Sequence, residues 1–171
     1  MKRFLLALLA AAILAGCGFQ LRGTASGKLP YASFHVALPD NADVGIWLKR
    51  YIKALGTTKL TATPEEAEAI FQQLYDTRQQ TILSLNALGQ VKEYRLLLTY
   101  GFRVVDAKGQ VLVPPNEISL SRDMTYDAST VLAKDQEAAL LWRDLNTDLV
   151  NQILRRLSIA KPKNPADEDQ D

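Results

Sequence analysis

The run Tyr94-Arg95-Leu96-Leu97-Leu98-Thr99-Tyr100-Gly101-Phe102-Arg103-Val104 alternates between apolar and polar side chains. Tyr94, Leu96, Leu98, Tyr100, Phe102 and Val104 fall on one side of a period-two pattern, and Arg95, Thr99 and Arg103 on the other. Successive side chains of a strand point to opposite faces, so a pattern of this length predicts a strand with one buried face. Leu97 and Val105 are apolar residues on the polar side.

Working outward, each flank of this strand carries turn chemistry. Asn86-Ala87-Leu88-Gly89-Gln90 precedes it and Asp106-Ala107-Lys108-Gly109-Gln110 follows. Gly109 is suited to a positive φ, so the second segment reads as a hairpin turn. Ala69 to Leu85, rich in Gln, Thr, Ile and Leu, reads as a long strand with room for a bulge. Val111 to Thr125 reads as a third long strand. Pro114-Pro115 cannot donate to a central ladder and predicts an edge position or a bulge there.

The remaining elements lie outside this meander. Phe34 to Leu38 reads as a short first strand, ended by Pro39-Asp40-Asn41. Val44, Trp47, Leu48, Tyr51, Ile52 and Leu55 recur three and four apart, which predicts a helix capped by Asp43 and stopped by Gly56. Pro64-Glu65-Glu66 resembles the first turn of a short helix, where acids are favourable. From Lys134 to Leu157, Ala138, Leu141, Trp142, Leu145, Leu149, Ile153 and Leu157 form one helical face; Arg143, Asp144, Asp148, Asn151, Arg155 and Arg156 form the other. The order strand, helix, three long strands, helix predicts an α+β two-layer sandwich. Two helices pack on one face of a mostly antiparallel four-stranded sheet, and the other face stays partly polar.

The N-terminus sets the compartment. Lys2-Arg3 is followed by an uncharged apolar run, Phe4 to Ala15. That run is shorter than the roughly 20 residues a spanning helix needs and has the form of an export signal. Leu14-Ala15-Gly16-Cys17 resembles the lipobox of bacterial lipoproteins. The resemblance implies a thioether from Cys17 to diacylglycerol, cleavage before Cys17, and acylation of the new amino group. A thiolate is nucleophilic enough for that alkylation. Cys17 is the only cysteine, so no disulfide competes for it. Several acyl chains hold a protein on a membrane without making it cross. Gly18, rather than aspartate, follows the cysteine; by resemblance to other Gram-negative lipoproteins this implies delivery to the outer membrane.

The expected organisation is a signal peptide over 1–16, a lipidated start and tether over 17–33, an α+β domain over 34–159 and a disordered acidic tail over 160–171. Loss of Lys2 and Arg3 leaves eighteen basic against nineteen acidic side chains, a net of −1. A general nucleic-acid binder carries a strong basic excess instead. His35 is the one histidine, too few for a metal site or for a triad beside a committed cysteine. Neither Glu65-Glu66 nor Asp144 with Asp148 makes a convincing acid/base pair, and no G-x-S-x-G, P-loop or dinucleotide motif is present. The sequence therefore predicts a non-enzymatic protein without a cofactor.

Three stretches resemble one family. Cys17-Gly18-Phe19-Gln20-Leu21-Arg22-Gly23 is similar to the mature start of the lipopolysaccharide-assembly LptE lipoproteins. Ser119 to Glu137, with its Leu132-Ala133-Lys134-Asp135 core, is similar to that family's passage from the last strand into the final helix. The Gly89-Gln90 turn followed by Glu93-Tyr94 also matches. The resemblance implies two helices on a mostly four-stranded sheet, and a lipoprotein of the cell outer membrane seated in the lumen of the β-barrel LptD. There it would plug the barrel, help it assemble and contact lipopolysaccharide. Lys134 matches a basic position of the family. The arginine that many members carry just before the Gly-Gln turn is replaced here by Ala87; Lys92 and Arg95 lie nearby as substitutes. Lipopolysaccharide carries phosphates, which Lys and Arg recognise. The alternatives are an accessory lipoprotein of another outer-membrane barrel or assembly machine, and a lipid-anchored hydrolase, which the histidine count disfavours.

Overall fold

The computed structural model describes residues 28–160. The signal region 1–16, Cys17 with the tether to residue 27, and the tail from 161 lie outside the described residues.

Three long strands build the sheet: β3 (Ala69–Leu85), β4 (Val91–Val105) and β5 (Val111–Thr125). They are antiparallel neighbours. Their two turns use the same device. The Oδ1 atoms of Asn86 and Asp106 each accept two backbone N–H groups across the turn, at 2.8–3.0 Å. Gly89 and Gly109 follow at φ of 78° and 85°, where a Cβ is disfavoured.

The short strand β1 (Ser33–Ala37) pairs in parallel with the start of β3 on one side and with β2 (Lys59–Leu60) on the other. The sheet therefore has five strands, in the order β2-β1-β3-β4-β5, rather than the four expected. The additional strand is only two residues long, too short to carry a period. β5 is an edge strand, and its register against β4 shifts between the pairs Phe102–Asn116 and Val104–Val113. Pro114 and Pro115 sit in that irregularity, where no ladder donor is required.

Helix α1 (Asp43–Leu55) buries Val44, Gly45, Leu48 and Ile52. Asp43 is its first helical residue rather than its cap: Ala42 occupies the cap position, without a side-chain bond. Gly56, at φ 65°, ends the helix in the left-handed conformation. Helix α2 (Val131–Ile159) begins one turn before the expected Lys134, led in by a 3₁₀ turn at Ala128–Thr130. Asp127 holds that turn by accepting the Ser129 N–H.

One core joins both helices to one sheet face. Leu96, Leu98, Tyr100, Phe102 and Val104 of β4 bury fully against Leu145, Leu149, Ile153 and Leu157 of α2 and Leu48 and Ile52 of α1. The helix α2 runs antiparallel to β5 and is tied to it at three levels. Lys134 bonds Thr125, Arg122 bonds Asp148, and Arg156 bonds Asn116 and the Glu117 carbonyl. The opposite face is polar along its middle, with Thr77, Thr99 and Ser119 at facing positions and Gln79, Leu97 and Ser121 beside them. Of the two apolar exceptions, Val105 pairs with Ile70 in a small second cluster with Ala67, and Leu97 is half-buried.

Past Gln72, β3 has no neighbour on its outer side among the described residues. Register shifts at Gln73/Tyr75 and Ile82/Ser84, and the charges of Asp76 and Arg78 between them, interrupt this open edge. Bulges and charges are how an exposed edge avoids pairing with other chains.

Candidate functional site

Lys92, Arg95 and Lys134 all lie at one end of the sheet, the end that carries the β3–β4 turn. Lys92 is exposed near the start of β4, and its carbonyl accepts the Tyr126 N–H at 2.8 Å. Tyr94 and Tyr126 meet edge to face beside it, ring centres 5.1 Å apart. The pleat places Lys92 on the helix side of the sheet, with Tyr94, and turns Arg95 to the opposite side. The three cations therefore share an end of the molecule but not a face.

Two of them are held by acids. Arg95 makes a two-pronged bond to the facing Asp123, Nε to Oδ1 at 2.7 Å and Nη2 to Oδ2 at 2.8 Å. That hydrogen bond, and then the charge, hold the Asp123 carboxyl below its ordinary range. Lys134, in the second turn of α2, donates to Glu137 Oε2 at 2.8 Å and to Thr125 Oγ1 at 3.0 Å, and its side chain is 18% exposed. It thus anchors the helix start to the end of β5. Asp127 lies below its ordinary range too, first because of the Ser129 N–H and hydroxyl and then because of the Lys134 charge.

The same end exposes apolar side chains. Ile82, Leu85 and Leu88 line the β3–β4 hairpin, and Val131 and Leu132 open the helix three and two residues before Lys134. Leu88 at 83% and Leu132 at 76% are far more open than an aliphatic side chain with an intramolecular role. Cations interleaved with exposed aliphatics suit an amphiphile that carries both anionic groups and hydrocarbon.

The other residues weighed in the sequence have structural positions. His35 lies in β1 with Nδ1 3.2 Å from the Thr61 carbonyl. Glu65 and Glu66 form a 3₁₀ turn after Pro64. Asp148 is committed to Arg122. Among the described residues no three of His, Cys, Asp and Glu gather as a metal site, and no helix is long and apolar enough to cross a membrane. Trp47, which the helical period assigns to the buried face of α1, is 40% exposed. With Trp142 it borders a cleft between the two helices, which periodicity alone could not distinguish from core.

A family model described as LptE, lipopolysaccharide-assembly, matches residues 31–157. A second, for a prokaryotic membrane lipoprotein lipid attachment site, matches residues 1–17. The LPS-assembly lipoprotein LptE of Yersinia enterocolitica is 28% identical over 92% of this chain and 77% of its own. Among solved structures, an uncharacterized lipoprotein B from Nitrosomonas europaea superposes with a TM-score of 0.70 at 35% identity, covering 82% of this chain and 90% of that one. A minor lipoprotein from Acinetobacter baumannii superposes with a TM-score of 0.62 at 28% identity, covering 77% and 93%.

Proposed function

The chain belongs to the lipopolysaccharide-assembly LptE family, and on that premise we propose that it plugs and helps assemble an LptD-type outer-membrane β-barrel and contacts lipopolysaccharide on its way to the outer leaflet. It is a membrane-anchored lipoprotein. The anchor is Cys17, carrying diacylglycerol on its thiol and an acyl group on its new amino terminus, and it holds the domain at the periplasmic side of the outer membrane.

The observation that carries the lipopolysaccharide contact is the sheet end where Lys92, Arg95 and Lys134 stand beside exposed Leu85, Leu88 and Leu132. Phosphates of the glycolipid bind the cations, and its hydrocarbon lies against the aliphatics. The plug role draws support from the sheet face turned away from the helices. Its Thr77, Gln79, Thr99, Ser119 and Ser121, set between the Arg95–Asp123 pair and Glu117, give a polar, hydrogen-bonding surface suited to a barrel lumen, whose interior positions are polar. A barrel wide enough for a glycolipid leaks unless something fills it.

The test is co-purification. The protein is tagged at its C-terminus, outer membranes are solubilised in mild detergent, and the partners are identified. A stoichiometric LptD-type barrel is the expected result. Recovery of the protein alone, or with a different barrel machine, overturns the plug reading and leaves the family membership intact.

A further inference from the structure

Trp47 and Trp142, the only two tryptophans of the chain, border one cleft, set between α1 and α2 above the outer half of β3. Its volume is about 580 Å³ and its walls include Asp43, Arg78, Arg143 and Asn146. That volume is within the range of small-ligand sites. The Arg78 guanidinium lies 6.0 Å from the Trp142 ring centre and donates to Asn146 Oδ1 at 3.2 Å, with Asp76 a more distant partner at 3.5 Å. Arg50 stacks over Trp47 at 4.9 Å. Arg143 makes no ion pair among the described residues. Asn146 is almost fully buried and its Oδ1 accepts from Arg78, while its amide nitrogen stays open to solvent and makes no hydrogen bond among the described residues.

These features point to one class of ligand. Two arginines and one aspartate line the cleft, a local excess of positive charge on a mature chain whose net charge is −1. Arginine in such a setting binds phosphate through paired N–H donors. Indole faces offer a flat apolar surface against which the C–H face of a sugar ring stacks, and the Asn146 amide and the Asp43 carboxylate suit sugar hydroxyls. A hydrocarbon chain would need no arginines, and a free inorganic anion no indole walls. We propose that the cleft between α1 and α2 binds the phosphorylated saccharide head of a glycolipid, as a second contact separate from the strand-end cations. The proposal rests on the lipopolysaccharide-contact reading given above.

The tryptophans are their own reporters, because no others contribute to the emission. Purified lipopolysaccharide of the shortest sugar chain, dispersed in detergent, is titrated into the protein while tryptophan emission is followed. The expected result is a saturable change, absent with detergent alone. Arg143→Glu, at an exposed and unpaired position, raises the half-saturation concentration at least tenfold, and enzymatic removal of the phosphates does the same. Arg155→Glu, on the same helix and nine residues beyond Asn146, leaves it unchanged. Arg78→Ala is read only after its melting curve shows it folded, since Arg78 also ties β3 to Asn146. If lipopolysaccharide still sediments with the protein while emission and the Arg143→Glu variant behave as detergent blanks, the cleft is not a site and only this proposal falls. If the unmodified protein fails to sediment with lipopolysaccharide at all, the contact reading falls with it.

Discussion

Replacing Gly101 with alanine tests how the long strands are held on the face away from the helices. Gly101 of β4 lies between Tyr75 of β3 and Glu117 of β5. The Tyr75 ring crosses over it, and its hydroxyl donates to Glu117 Oε2 at 2.6 Å. That bond, to an acceptor that also carries charge, raises the tyrosine above its ordinary pKa. A Cβ on Gly101 would sit 2.5 Å from two Tyr75 ring carbons and 2.9 Å from a third. Either the ring is displaced or the strands move apart. Overpacking of this kind costs about 1–3 kcal/mol. Alanine in place of glycine within a strand returns roughly 0.5–1 kcal/mol through lower chain entropy. The expected net loss is therefore about 1 kcal/mol, or ~4 °C in Tm for a domain of this size. The sign should reverse when the ring is absent. In a Tyr75→Ala background the clash is gone, and Gly101→Ala should stabilise by about 0.5 kcal/mol or more. Thermal and urea unfolding of the four proteins of this cycle measure the coupling directly. Destabilisation of equal size in both backgrounds would refute the reasoning, since it would mean that the strand backbone, not Tyr75, requires the glycine.

Four further outcomes are expected. Tyr31 is 2% exposed and its hydroxyl has no partner among the described residues; Tyr31→Phe removes a buried unsatisfied group and should raise stability by about 1 kcal/mol, read from the urea midpoint. Asp123 has a folded pKa below its unfolded one, so the unfolded chain takes up protons first and the Arg95–Asp123 contribution, complete at neutral pH, is lost as pH falls through the acid range. Melting curves of the wild type and Asp123→Asn should accordingly differ at pH 7 and converge at low pH. Lys134→Asp should weaken lipopolysaccharide binding while the barrel still co-purifies. Because an aspartate there repels Glu137, Lys134→Gln serves as the gentler companion, and unchanged binding in both would remove Lys134 from the contact. Cys17→Ser should yield a protein without the acyl mass that leaves the membrane fraction, as mass spectrometry and fractionation can show.

The fold was legible wherever a period ran long enough. Eleven residues of alternation from Tyr94 to Val104 announced β4, and the two turns with Asn86 and Gly89, Asp106 and Gly109, announced its neighbours. The proline pair located the irregular edge of β5. What escaped notice depended on contacts distant in sequence. Lys59–Leu60 forms a strand only because β1 lies beside it. Asp43 is a good capping residue by type, yet the chain enters the helix one residue earlier. The acids holding Arg95 and Lys134 differ in how visible they were. Glu137 is one helical turn from Lys134, whereas Asp123 meets Arg95 only through the register of β4 against β5. Trp47 and Trp142 satisfy the helical period as well as any core residue. Only the spacing of α1 from α2 shows that their rings border open space.

Those acids bear on how an anionic ligand is received. At the strand end a phosphate reaching Arg95 or Lys134 must replace Asp123 or Glu137, exchanging one anion for another, with the displaced carboxylate remaining close by. At the exposed Arg95–Asp123 pair such an exchange gains little and is weakened further by salt. Lys92 and Arg143 make no ion pair among the described residues, so an anion there displaces only water. The two regions therefore suit different parts of one amphiphile. The strand end, with Leu85, Leu88 and Leu132 exposed around its cations, offers a place for hydrocarbon beside a phosphate. The interhelical cleft, with aromatic walls and an unpaired arginine, favours the charged sugar. A glycolipid spanning both would be held by its two ends, and neither contact alone would need to be tight for the pair to orient it.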